Sequence, residues 1–161
     1  MTRTILFLTT PLALLSFGAL ADEMPARKPG LWEITSTQSG SPPDVSRLCI
    51  DEPTEAELIA KANATMKEIC SRHDTQRNGD VITEDSVCKP MKSQTTTHAV
   101  TTFHGDSAYT RTSTSNYNPP FLGKTETNLT QEGKWLGACG PDMKPGDFLT
   151  HGQKLNIRGK L

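Results

Sequence analysis

The chain is short of apolar bulk and of aromatic rings, the two things on which a small domain usually relies. Of its 161 residues, 34% are hydrophobic and 6% aromatic, with two tryptophans and two tyrosines. Much of that apolar content lies in the N-terminal segment, so the remainder is roughly 30% apolar, below ordinary globular usage. A core so thin benefits from covalent support. An excess of one charge is also missing, with 17 Lys plus Arg against 18 Asp plus Glu. This balance excludes the basic surface that non-specific nucleic-acid binding requires. There is no polybasic stretch for a membrane surface and no internal repeat. No two cysteines stand at C-x-x-C spacing. The four histidines, His73, His98, His104 and His151, form no pair at i, i+2 or i, i+4. No metal site and no cofactor are therefore expected. A weak exposed site between His98 and His104, near facing ends of one strand, is the only candidate.

What is present first is an export signal. Arg3 supplies a positive start, Ile5 to Leu20 is almost wholly apolar, and Ala19-Leu20-Ala21 has the small-x-small pattern that signal peptidase accepts. The run is too short, and too abruptly followed by Asp22 and Glu23, for a membrane span. The cleavage point carries no Cys for a lipid anchor. Residues 1–21 thus read as a signal peptide. Residues 22–161 read as a single β-rich domain with a Gly- and Pro-containing tail over residues 140–161, in the periplasm or secreted, with no stable membrane anchor after cleavage. Loss of Arg3 leaves 16 basic against 18 acidic side chains, a net of −2.

Four cysteines, Cys49, Cys70, Cys88 and Cys139, remain. In an oxidising compartment an even count implies two disulfides with three possible connectivities, and a metal set is the competing reading. The strand pattern bears on the pairing. Residues 70–77 and 81–89 flank Asn78-Gly79-Asp80, where Asn-Gly suits a tight hairpin. With those three residues as the loop, Arg77 faces Val81 and Cys70 comes opposite Cys88, within disulfide reach. That leaves Cys49 for Cys139.

Elsewhere, residues 31–37 alternate, with Trp32 and Ile34 on one side and Glu33 and Thr35 on the other, as in a half-buried strand. A second strand covers residues 45–50. Residues 54–69 form the one helix, opened by a Thr54/Glu57 capping box and striped by Leu58, Ala62, Met66 and Ile69. Thr-rich strands over residues 93–103 and 108–117 flank the turn at His104-Gly105-Asp106-Ser107. Asn118-Pro119-Pro120 ends the second of them, and a last hairpin places strands 124–130 and 135–139 around Gln131-Glu132-Gly133-Lys134. In the tail, Met143, Phe148, Leu149, Leu155 and Ile157 are candidate docking residues. The sum is a mainly β, α+β fold: an antiparallel meander with one amphipathic helix packed on it or lying across its edge.

His104, Asp106 and Ser107 are hydrolase residue types, but three groups around one tight turn do not converge as a nucleophile, base and orienting acid must. Asp106 beside Gly105 reads as a turn cap. Acidic residues around the helix start, Asp44, Asp51, Glu52, Glu55 and Glu57, together with Glu68, suit a solvated helix and its dipole rather than a glycosidase pair. Asn63-Ala64-Thr65 and Asn128-Leu129-Thr130 match a glycosylation pattern by coincidence. Trp32 and Trp135 are the candidate ligand-facing aromatics, with a place in the core as the alternative.

The segment Lys28-Pro29-Gly30-Leu31-Trp32-Glu33-Ile34 resembles the opening of a bacterial exported family known as domain of unknown function 3617. So do Arg47-Leu48-Cys49, the Cys70 and Cys88 pair about a Gly-containing turn, Phe103 to Ser107, and Gly133 to Cys139. The resemblance covers nearly all of residues 22–161 and implies a periplasmic or secreted protein, with no catalytic residues to carry over. Residues 108–117 depart from it, being Thr and Ser where Met-rich strands are frequent, so no Met-based metal role is implied. The expected function is a non-enzymatic binding or envelope-associated module for a small molecule, lipid or protein. A small hydrolase using an acidic residue or His104, and a structural or assembly protein, are the alternatives.

Overall fold

The alternation seen in the sequence becomes one nine-stranded sheet in the computed structural model, which describes residues 25–158. The segment read as a signal peptide lies outside the described residues. The strands are β1 (Gly30–Gln38), β2 (Asp44–Ile50), β3 (Cys70–Asn78), β4 (Val81–Cys88), β5 (Gln94–Phe103), β6 (Ala108–Phe121), β7 (Lys124–Gly137), β8 (Asp147–Thr150) and β9 (Gln153–Asn156), with α1 (Glu52–Ile69) between β2 and β3. Spatial order is β3-β4-β5-β6-β7-β1-β2-β8-β9, and every pairing is antiparallel. Five consecutive strands form a meander, the first hairpin docks on its far edge at β7, and the tail adds two more strands.

That tail hairpin was not expected from the sequence. Phe148 and Ile157 pack on the central cluster of Trp32, Leu48 and Ile50, while Leu155 stays exposed. The other main difference lies in β7, which runs unbroken through residues 131–134 where a turn was expected. Gly133 looks like a turn former but serves as a close-approach residue, since a Cβ there would collide with the Tyr109 ring. The actual hairpin tip is Leu122-Gly123, both at positive φ (47° and 76°), and β6 continues past Asn118-Pro119-Pro120 to reach it.

The helix begins two residues before the expected start. Asp51 caps it by accepting from the Thr54 amide at 2.9 Å and from the Thr54 hydroxyl, and Pro53 fits the first turn, where no intrahelical donor is needed. The Thr54 hydrogen bonds, aided by the Arg158 charge, hold the Asp51 carboxyl below the ordinary carboxylate range.

Both disulfides form as read, Cys70–Cys88 and Cys49–Cys139. The register behind the first differs from the expected one. Asn78 faces Val81 across a two-residue turn, with Gly79 at φ 61°, and the ladder runs one residue out from the anticipated alignment. An irregularity between Cys70 and Arg72 takes up that residue, so Cys70 still meets Cys88.

Candidate ligand-binding cleft

Directly opposed residues of antiparallel strands share a face, so the register sorts the side chains. One row of the inner face reads Ile82, Thr101, Arg111, Gln131 and Ser36 across five strands. The row below it carries Phe103, Tyr109, Gly133 and Ile34, followed by Trp135, Trp32 and Leu48. The next row is Glu84, Ala99, Ser113 and Leu129, and above it polar pairs close the face: Thr97 and Ser115 hydrogen-bond at 2.9 Å, and Tyr117 and Thr127 at 2.8 Å. The opposite face is largely Thr with charged residues and is wet, as the composition of these strands led us to expect.

Connectivity then determines where α1 lies. It leaves the lower end of β2, enters β3 at the upper end, and lies over the inner face across five intervening strands. Eighteen residues span about 27 Å. The six strand spacings from β2 to β3 measure about 29 Å. The two lengths are comparable, so the helix bridges the two sides of the sheet. Leu58 reaches the core cluster near the helix start. Farther along, the apolar stripe hangs over open space.

That space is a cleft of about 460 Å³, open to solvent. Its roof is Leu58, Ile59, Ala62, Asn63 and Met66 of α1, and its apolar floor is Ile82, Phe103 and Tyr109. The stripe residues Leu58 and Met66 are only half-buried and Ala62 is exposed, whereas Ile82 on the floor is 1% exposed.

Two charge clusters are set into these walls. On the floor, the Arg111 guanidinium is ion-paired with Glu84 and donates to Thr101 Oγ1 at 3.0 Å, while His73 Nε2 lies 3.5 Å from the other Glu84 oxygen. At the lower end, Arg27 grips Glu55 with two hydrogen bonds of 2.8 and 2.7 Å and stacks 5.7 Å from the centre of Trp32. Burial works against the charge on Arg27, but the Glu55 hydrogen bond and charge outweigh it and raise its pKa. Burial likewise raises the Tyr109 hydroxyl above its usual value, with the nearby Arg27 charge opposing.

The two tryptophans read as candidate ligand-facing groups are brought together as cross-strand partners. Trp32 is 1% exposed and its indole donates to Lys28 O at 2.8 Å, which makes it the centre of the core. Trp135 is half-buried, donates to Pro29 O at 3.0 Å, and has the Lys28 ammonium 4.1 Å from its ring centre. It lines a separate shallow depression with His104 and Ser107. The turn at residues 104–107 holds the fold through its backbone: Asp106 O accepts from Lys28, and Ser107 O accepts from Trp135. The side chains of His104 and Asp106 are exposed. His98, rather than meeting His104, lies 2.9 Å from Asp85 on the neighbouring strand. Among the described residues, no group of three or more His, Cys, Asp or Glu is placed to hold a metal, and no helix is long and apolar enough to cross a membrane.

The helix stripe is legible in the sequence, and the floor of the cleft is not. Arg27, Glu84 and the β6 pair Tyr109 and Arg111 lie on three separate segments and carry no local signature. The period-two pattern of β4 to β6 could have placed Glu84, Thr101 and Arg111 on one face once the strand order was known.

Comparison with protein families matches residues 27–139 to one described as protein of unknown function (DUF3617). Neither the curated proteins nor the solved structures contain a match.

Proposed function

The chain belongs to the DUF3617 family of unknown function, and from its cleft we propose that it is an exported, non-enzymatic binding protein that holds an apolar or amphipathic small molecule between α1 and the sheet. One observation carries this reading: beyond its packed start at Leu58, the helix presents its apolar stripe to an open cleft. An amphipathic helix of a globular protein normally buries that stripe. Here, covering Leu58, Ile59 and Met66 would stabilise the complex by about 1–1.5 kcal/mol each, half the value for full burial. A few fixed polar groups in a mostly apolar cavity are the usual composition of a small-molecule site. Arg27 and Arg111 are each neutralised by a glutamate, so they suit a ligand that carries a hydrogen-bonding polar group rather than a bare charge.

Export accords with the two disulfides, which persist in oxidising compartments, and with the signal pattern ending at Ala21. A location in the periplasm or outside the cell follows from this reading. Reduction and oxidation state of the native protein would test it: free thiols in chain isolated from cells would count against export.

The binding reading is tested with the purified protein and a displaceable fluorescent fatty-acid analogue, alongside native mass spectrometry for co-purifying small molecules. Binding by the wild type, reduced at least about tenfold in Ala62→Trp, is expected, because the indole would occupy the volume available to an apolar ligand. A wild type that keeps its fold and binds none of the apolar probes would remove the reading.

A further inference from the structure

The antiparallel order puts the connections 39–43, 89–93 and Leu122-Gly123 at one end of the sheet. β6 and β7 run farthest there, with β6 passing three residues beyond its last pairing with β5, at Asn118. Leu122 at the tip is 86% exposed, and Met91 in the adjacent loop is 62% exposed; they exceed the other exposed large hydrophobic residues. Leu122 also occupies a turn position with φ 47°. Two-residue hairpins of this kind favour Asn-Gly, because a bulky side chain is strained at positive φ. The position thus breaks two local rules, turn chemistry and surface polarity. Such breaches concentrate at functional sites.

Within the two loops that form the tip the charges are of one sign. Lys89, Lys92 and Lys124 are all exposed, and neither residues 89–93 nor residues 118–124 include an acidic residue. The nearest acid along β7, Glu126, accepts from Asn128 at 3.0 Å. These lysines form no run in the sequence; the fold gathers them. The tip is also held in place. Ser93 Oγ donates to Pro119 O at 2.6 Å, the Lys89 amide to Ile69 O at 2.8 Å, and Phe121 stacks on Tyr117 with centroids 5.8 Å apart. The Cys70–Cys88 disulfide anchors the base of the first loop.

We propose that this lysine-flanked tip docks on an anionic lipid bilayer, with Leu122 and Met91 entering the acyl region and Lys89, Lys92 and Lys124 meeting headgroup phosphates. A convex, apolar point ringed by cations fits a soft, planar, negative surface, and a preformed tip loses little entropy on docking. The inference is independent of the cleft, at the middle of the sheet, and survives or fails without it.

The test is co-sedimentation of the purified protein with phosphatidylcholine vesicles, with and without phosphatidylglycerol, at low and high salt. Binding that needs phosphatidylglycerol and weakens with salt is expected. Leu122→Asn should weaken it at least about tenfold, the change expected when one fully exposed leucine no longer enters an apolar phase. Its melting temperature should hold or rise, since asparagine suits the turn, so loss of binding cannot be attributed to unfolding. Each Lys→Gln change at residues 89, 92 and 124 should cost roughly fivefold. Ala62→Trp in the cleft should bind vesicles as the wild type does. Absence of wild-type binding to phosphatidylglycerol vesicles would overturn the proposal. So would binding that survives Leu122→Asn and the lysine changes. Capture of a protein by the wild type, lost in Leu122→Asn, with no vesicle binding, would assign the tip to a protein partner and equally overturn it.

Discussion

Gly133 and Tyr109 face each other across β6 and β7, and the ring occupies the place a Cβ would take. Gly133→Ala must displace the Tyr109 ring from its contacts with Trp32 and Phe103, 6.0 and 6.2 Å away between centroids. A loss of about 1–3 kcal/mol, the usual cost of overpacking, is expected as a lower urea midpoint. Asp51 offers a second single-residue test. Asp51→Ala removes the helix cap and should lower the urea midpoint at neutral pH. Because the folded protein holds this carboxyl below its ordinary range, the charged form contributes stability above the unfolded pKa. That contribution is lost as pH falls through the lower folded value. The stability gap between wild type and Asp51→Ala should therefore narrow as the pH is taken below about 4, measured by urea unfolding across a pH series. Asp147, held low by the Lys144 amide and Asn156, shifts in the same direction and adds to acid sensitivity.

Among the elements, those whose periodicity is set by one buried face were readable from the sequence. β1 alternates because Trp32 and Ile34 meet the core while Glu33 pairs with Arg47 in solvent at 2.9 Å. The helix was readable for the same reason, but its stripe carries no sign of whether it packs or lines a void, and so the cleft could not be read. Residues 131–134 misled because Gly133 marks a close approach rather than a turn, and the Leu122-Gly123 turn was hidden because its first position carries an unusual residue. β9, with the sequence Gln-Lys-Leu-Asn, is an edge strand held by backbone pairing to β8 and lacks any alternation to detect. The disulfides act between elements and separate cleanly. Cys70–Cys88 closes 18 residues and Cys49–Cys139 closes 90. The loop-entropy relation then gives about 3 and 4–5 kcal/mol. Cys49→Ser with Cys139→Ser should lower the melting temperature more than Cys70→Ser with Cys88→Ser, and mass mapping of the wild type should recover both bridges.

Across the whole molecule, β1 pairs with β2 on one side and with β7 on the other. Trp32, the largest fully buried side chain among the described residues, thus finds Trp135 only when nearly all of the intervening chain is in place. Contacts of such sequence separation slow folding, because loop closure comes before any reward from pairing. The meander from β3 to β7 can assemble by neighbouring hairpins, whereas the first hairpin must wait. A chain made from its N-terminus therefore carries an incomplete, apolar-faced β1–β2 pair through most of its synthesis, with one edge open to pairing with other chains. Refolding in vitro should show early protection of amide hydrogens in β4 to β6 and late protection in β1. Truncation before Lys124 should leave the first hairpin without a partner and the product prone to aggregation. The same splice that closes the sheet around Trp32 makes the order of chain delivery, and the company the N-terminal segment keeps meanwhile, a determinant of yield.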